Sequence, residues 1–367
     1  MEKTLQTIFA VALMAVVASC GNKNEFTVNG TVDMPELNGQ TIYLLNMSGD
    51  NDSPIDSTVI ADGKFTFTGN VEEPWMAMMG CPEAQFIITA VIEPGTIVIK
   101  NDSIGGTLLN DRLQAFNANF SIDDIESQMK ELIPLYYSAP NAKEREEIEH
   151  VIDSLEAAGN SLALEAYWKL YNENSDNLLA VNAMQNIVAI GDFSYSELDS
   201  IVSAASPMVA GDKQVQAKLK QLHNIEATSA GKHYTDIQGV DGKLSDIIDG
   251  KLALVDFYAS WCGPCRNEIK DNLVPLWKKY EKKGLVIVGL NVWERGDAAA
   301  RKAAHEKVMA DLGITYPQLV DSTRTAMDTY GVNGIPQIML IDKDGTILAR
   351  DLRGAAIEEA IVKALNN

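Results

Sequence analysis

Cys262 and Cys265 lie two residues apart in Trp261-Cys262-Gly263-Pro264-Cys265, a spacing at which two sulfurs can open to a dithiol and close to a disulfide. The run before them, Leu252 to Tyr258, is apolar apart from Asp256, which predicts a buried parallel strand. Pro264 suits the first turn of a following helix. Cys262 is thereby placed at a helix N-terminus, where free backbone N–H groups and the positive end of the helix dipole favour thiolate over thiol. The thiolate is the form that attacks a disulfide. A zinc site is the competing use of such a pair, but no second Cys-x-x-Cys or close histidine pair completes four ligands. The four histidines, His150, His223, His233 and His305, are scattered and read as surface or locally satisfied residues. A purely structural disulfide across so short a loop would add little loop-closure stabilisation. The expected chemistry is thiol-disulfide exchange, with no metal and no cofactor.

Lys3 precedes an apolar run from Ile8 to Val17, which closes in the small residues Val17-Ala18-Ser19-Cys20. The pattern resembles a bacterial lipoprotein signal, which implies that residues 1–19 are removed and that Cys20 becomes a lipidated N-terminus. The run is shorter than the roughly 20 residues that span a bilayer. An ordinary secretory signal cleaved after Ala18-Ser19 is the alternative. A lipid anchor would leave the protein on the far side of the membrane from the cytoplasm, in an oxidising or contested thiol environment. Cys81 then stands unassigned and reads as a buried small hydrophobe, with a regulatory thiol as the alternative. The net charge of −21, from 51 acidic and 30 basic side chains, argues against nucleic acid or anionic lipid as a partner.

The 367 residues exceed one small domain, and their texture changes twice. Four segments are expected: a leader over 1–19, a β-rich domain over 20–109, a helical region and linker over 110–231, and a redox domain over 232–367. The first domain shows short β-branched or aromatic runs with a turn at Asp62-Gly63, the signature of a small antiparallel β domain. The helical region sets Ile148, Ile152 and Leu155 on one face. Its aromatics Tyr136, Tyr137, Tyr167, Trp168 and Tyr171 read as core or interface packing, a peptide groove being the alternative. Ala227 to Gly231 reads as a linker. From His233 onward strands and helices alternate: Leu285 to Leu290 is a second buried strand, Gly284 ends the helix before it, and Asp297 caps a helix running to about Leu312. A strand over Tyr316 to Val320, a helix over Thr323 to Tyr330, a hairpin turning at Lys343-Asp344-Gly345 and a final helix over Ala356 to Leu365 complete a mixed sheet covered by helices.

These C-terminal residues resemble the thioredoxin superfamily, in particular its membrane-tethered extracytoplasmic branch that includes cytochrome-maturation thiol reductases. Trp261-Cys262-Gly263-Pro264-Cys265 matches the family's active-site motif, and Gly334-Ile335-Pro336 matches the loop that carries its cis-proline. The resemblance implies an α/β thioredoxin-like domain with Cys262 as the attacking nucleophile and Cys265 as the resolving thiol. It implies that Pro336 faces the dithiol in the cis form and leaves the backbone of Ile335 free to pair with an extended substrate, beside Trp261, Gly263 and Pro264. Asp256 lies where thioredoxins place an internal carboxylate that takes a proton from the resolving cysteine, and Gly289 lies where they place its lysine partner. Glu268 lies where the tethered reductases carry an active-site glutamate; a solvated helix acid is the alternative. Two departures are Gln337, in place of a small or β-branched residue after the cis-proline, and a helix proline displaced to Pro275.

The expected function is a lipid-anchored extracytoplasmic thiol-disulfide oxidoreductase that mainly reduces protein disulfides. Its partners would be protein thiols and disulfides together with a membrane protein that donates electrons. Oxidase or isomerase activity is one alternative. An envelope protein that binds peptide or glycan and carries an accessory redox domain is another. A peroxidase is disfavoured by two cysteines at the helix start with Gly-Pro between them, rather than one peroxidatic thiol.

Overall fold

The computed structural model describes residues 24–47, 53–82 and 86–366. The expected leader and Cys20 lie outside the described residues. Two compact units divide between Ala183 and Met184.

The first unit carries strands β1 (Glu25–Thr31), β2 (Thr41–Asn46), β3 (Asp56–Val59), β4 (Lys64–Asn70), β5 (Trp75–Cys81), β6 (Phe86–Ile92), β7 (Gly95–Lys100) and β8 (Ser103–Gly105). They form two four-stranded sheets, ordered β4-β1-β7-β8 and β3-β2-β5-β6. Pairing is antiparallel except between β1 and β7, which run parallel. Strand β4 shows why the sheets form: Phe65 and Phe67 point inward while Lys64, Thr66 and Thr68 face solvent, the period of two that buries one face. Asp62 and Gly63, both at positive φ (49° and 69°), turn the chain from β3 into β4 as a type I′ turn demands. Cys81 is buried at the end of β5.

Helices α1 (Leu108–Asn119), α2 (Asp123–Ser138) and α3 (Ala142–Glu173) follow. Asn110 fastens α1 to β6, its side chain accepting from the Val91 N–H (2.9 Å) and donating to the Val91 carbonyl (2.7 Å). Tyr167 of α3 packs on Phe116 and Phe120 at ring separations of 5.2 and 5.9 Å, so this aromatic belongs to internal packing.

Helix α4 (Leu178–Ile190) runs across the division, and α5 (Tyr195–Ala204), α6 (Pro207–Ala210) and α7 (Lys213–Ala227) open the second unit. Gln221 and Asn224 of α7 donate to the carbonyls of Gly331 (3.2 Å) and Asp328 (2.7 Å), tying this helix to the redox domain. The segment after α7, expected as a linker, is an ordered joint: Thr228 is 1 % exposed, and Arg350 donates to its carbonyl (3.0 Å) and its hydroxyl (2.5 Å). A run of Ala, Thr, Ser and Gly has no apolar period of its own, and the arginine that bonds Thr228 lies 122 residues away.

A short hairpin, β9 (Gln238–Gly239) with β10 (Gly242–Lys243), and α8 (Leu244–Ile248) lead into β11 (Leu252–Tyr258). One continuous helical stretch follows, made of α9 (Gly263–Glu268), a π turn over Ile269–Leu273, α10 (Val274–Tyr280) and a 3₁₀ turn over Glu281–Lys283. The π turn precedes Pro275, whose ring would clash with an α-helical carbonyl four residues back; the Val274 N–H accordingly bonds the Ile269 carbonyl, five residues back. Next come β12 (Leu285–Asn291), α11 (Ala298–Leu312), β13 (Gln318–Val320), α12 (Thr325–Tyr330), β14 (Gln337–Ile341), β15 (Ile347–Ala349) and α13 (Ala355–Leu365). Gly284 at φ 98° ends the stretch before β12. The Asp297 side chain caps α11 by accepting from the Ala300 N–H (2.9 Å).

The sheet is ordered β13-β12-β11-β14-β15. Strands β11, β12 and β13 are parallel, and β14 and β15 are antiparallel to their neighbours. Every residue of β11 and β12 is buried, as central strands covered on both faces require. Leu252, Leu254 and Tyr258 enter one hydrophobic cluster, while Ala253, Val255 and Phe257 enter the other. The domain is thioredoxin-like: a mixed sheet covered by helices. Among the described residues no helix is long and apolar enough to cross a membrane.

Candidate active site

Cys262 caps the N-terminus of α9, just past the end of β11, and is joined by a disulfide to Cys265 in the first turn. The Cys265 N–H donates to the Cys262 sulfur at 3.1 Å, an interaction that gains strength when the acceptor is a thiolate. Cys262 is 4 % exposed and Cys265 is 0 % exposed. Gly263 and Pro264 are exposed beside them. Antiparallel pairing of Phe257 with Gln337 carries the loop before β14 up to the dithiol. In that loop the Ile335–Pro336 peptide is cis, and the Ile335 carbonyl oxygen lies 3.7 Å from the Cys262 sulfur.

The register of β11 places Asp256 opposite Gly289 of β12 and Ile338 of β14. Asp256 lies two residues from both Leu254 and Tyr258 and so shares their face, the one that holds Cys262 and Cys265. It is 1 % exposed, and neither carboxylate oxygen has a hydrogen-bond partner among the described residues. Burial pushes its pKa up to about 8; the charge of Glu268 adds to the rise and that of Arg353 opposes it. A side chain at Gly289 would put its Cβ 2.5 Å from the Gln318 amide. Gln318, which accepts from the Tyr258 hydroxyl at 2.7 Å, thus closes the position where thioredoxins set a lysine. The cation that moderates Asp256 comes instead from Arg353.

Glu268 is half-buried, and its Oε1 accepts from the Asn272 side chain (2.8 Å) and from the Gly354 N–H (2.9 Å) at the start of α13. It is not a solvated helix acid. Arg353 donates to the Leu352 carbonyl at 2.8 Å and to the carbonyl of Pro336, linking the cis-proline loop to the segment that holds Glu268. The two charges act on Asp256 with opposite sign. Glu268→Gln is expected to lower the Asp256 pKa and Arg353→Gln to raise it. Carboxyl ¹³C NMR titration of the two variants checks both directions, and shifts of the same sign would refute the assignment.

Arg353, Trp293 and Glu294 are not among the residues singled out from sequence. Glu294 accepts from the Ser260 N–H (2.6 Å) and from the Ser260 hydroxyl (2.7 Å), holding the loop that presents the dithiol. Trp293 accepts from the Trp261 indole N–H at 2.8 Å through its carbonyl. A usable signal exists for these two: they follow the C-terminal end of a parallel strand, where open α/β sheets gather their functional loops. His305 is 9 % exposed and lies 3.2 Å from the Tyr258 hydroxyl, a locally satisfied residue whose pKa burial lowers.

A Cys-x-x-Cys pair at a helix start after the central strand, faced by a cis-proline loop from the neighbouring antiparallel strand, defines the thioredoxin class. Residues 220–350 match the AhpC/TSA family, and residues 26–113 match a domain of unknown function, DUF4369. The chain is 30% identical over 189 residues to the thiol:disulfide interchange protein HelX of Rhodobacter capsulatus, covering 51% of this chain and 92% of that protein. It is 32% identical over 114 residues to the thiol-disulfide oxidoreductase ResA of Bacillus anthracis, an alignment that covers 31% of this chain and spans only 61% of that relative's length. The solved thioredoxin domain of a thiol-disulfide oxidoreductase from Bacteroides vulgatus is 27% identical with a TM-score of 0.33, covering 38% of this chain and 99% of the domain. The chain belongs to the thiol-disulfide oxidoreductase family of the thioredoxin superfamily.

Proposed function

We propose that this protein reduces disulfides in other proteins through Cys262 and Cys265, outside the cytoplasm and tethered by a lipid on Cys20. The carrying observation is the Cys262 sulfur at the head of α9, 3.7 Å from the Ile335 carbonyl of the cis-proline loop. In the reduced protein the Cys262 thiolate attacks one sulfur of a substrate disulfide, and that bond's electron pair leaves on the other sulfur as a thiolate. Asp256 takes the proton of Cys265, which attacks the Cys262 sulfur and releases the second substrate thiolate. Two electrons pass to the substrate, its two thiolates take up one proton from Asp256 and one from solvent, and the protein keeps a disulfide. A dithiol donor, in this reading a membrane protein, must then reduce Cys262–Cys265 again.

The backbone of Ile335, beside Trp261, Gly263, Pro264 and Pro336, would pair with the substrate segment as an added strand. Residues 232–367 carry the exchange chemistry in this reading, and residues 20–109 and 110–231 contribute none of the reacting groups. The Gly263-Pro264 dipeptide supports the reducing direction, because thioredoxin has a potential near roughly −270 mV whereas the oxidant DsbA lies near −120 mV. Equilibration of the full chain with graded thiol buffers, read by alkylation and mass shift, is expected to give a potential near the thioredoxin value. A value at the DsbA end would overturn the reductase reading.

A further inference from the structure

We infer that two arginines stacked on the tryptophans beside Cys262 read an acidic side chain close to the substrate cysteine, so that acidic protein segments are the preferred substrates. The inference rests on exchange at Cys262. Trp261, next to the attacking sulfur, is 38 % exposed. Its ring packs edge-on against Trp293 at 5.5 Å and 82°. The Arg295 guanidinium carbon stands 4.2 Å from the Trp261 ring centre, and that of Arg324 stands 5.0 Å from the Trp293 ring centre. Both arginines are exposed. Among the described residues neither has a carboxylate at ion-pair distance. Stacking holds a guanidinium plane in place while leaving its fork of donors open to a carboxylate.

The backbone is bent to build this rim. Trp293 and Arg324 adopt left-handed φ values of 55° and 66°, a conformation that large side chains avoid unless the surroundings enforce it. One residue belongs to the loop after β12 and the other to the turn before α12, and the bends bring their side chains together. Glu294, the acid between Trp293 and Arg295, is turned inward, with Oε1 engaged by the Ser260 N–H and the Asn291 side chain and Oε2 by the Ser260 hydroxyl. It leaves the rim cationic. The chain as a whole carries −21 and repels acidic partners at a distance, so two uncompensated cations beside the reacting sulfur reverse that preference locally. An extended substrate advances about 3.3 Å per residue, so an acid two residues from the attacked cysteine sits about 7 Å along the strand from it.

The test uses the full chain, pre-reduced, and three peptides closed by one internal disulfide that differ only in a Glu, Gln or Lys flanking the reactive cysteine. The Glu peptide is expected to be reduced about tenfold faster than the Lys peptide at low ionic strength, mainly through KM, with the ratio shrinking as salt screens it. Arg295→Gln with Arg324→Gln is expected to bring the ratio within about twofold, and Arg295→Glu with Arg324→Glu to invert it. The ratio within one variant is its own control for folding. Equal rates for the Glu and Lys peptides, or an unchanged ratio in both double variants, would overturn the recognition while leaving exchange intact. Failure to reduce any of the three peptides would overturn exchange at Cys262 and this recognition together.

Discussion

Asp256→Asn is expected to stabilise the protein by an amount that grows with pH between about 4 and about 8. The folded carboxyl has a pKa of about 8 against 3.8 for an unperturbed one. Between those values the unfolded chain has released a proton that the folded chain keeps, so the stability of the native protein falls as pH rises, at up to about 1.36 kcal/mol per unit. An amide in place of the carboxyl does not titrate, and the variant would escape this loss. At pH 7 the difference is on the order of 4 kcal/mol, with relaxation around the site reducing it; near pH 4 and below it vanishes. Urea unfolding of both proteins from acid to alkaline pH checks this, and a difference that is flat with pH would show that Asp256 does not titrate as a buried acid. The same substitution is expected to slow resolution of a mixed disulfide by about 10²-fold at neutral pH. Only ionised Asp256 accepts a proton, so the wild-type resolution rate should climb with pH until it levels above about 8.

Cys265→Ala should convert the protein into a covalent trap. Cys262 would still attack a substrate disulfide, but no second thiol would release the mixed disulfide, and protein-bound substrates would accumulate. Cys262→Ser should abolish turnover and trap nothing. In the reduced wild type Cys262 is expected to alkylate about tenfold faster than Cys265 at neutral pH, because it receives the Cys265 N–H at the helix start while Cys265 is sealed in the core. Peptide mapping after brief iodoacetamide exposure measures the two rates. Equal rates from about pH 5 to about pH 9, a window spanning depressed and ordinary thiol pKa values, would remove the assigned roles even though the fold stands.

The features legible in the sequence are those made by residues close together along the chain. The apolar run of β11, the Pro264 helix start, the Asp297 cap and the Gly284 stop each depend on contacts within a few positions, and local pattern determines them. Spacing alone likewise sets Cys262 and Cys265 one helical turn apart, and an acid within an apolar strand determines the burial of Asp256. The tertiary structure decided what surrounds them. Gln318 closes the space over Gly289, Arg353 rather than a lysine on β12 supplies the cation felt by Asp256, and Glu294 holds Ser260 from 34 residues away. Arg350 turns an apparent linker into a joint, and β1 pairs in parallel with β7 inside an otherwise antiparallel sheet. None of these has a sequence period, because each arises where strand register and loop path bring together residues whose separation along the chain carries no signal.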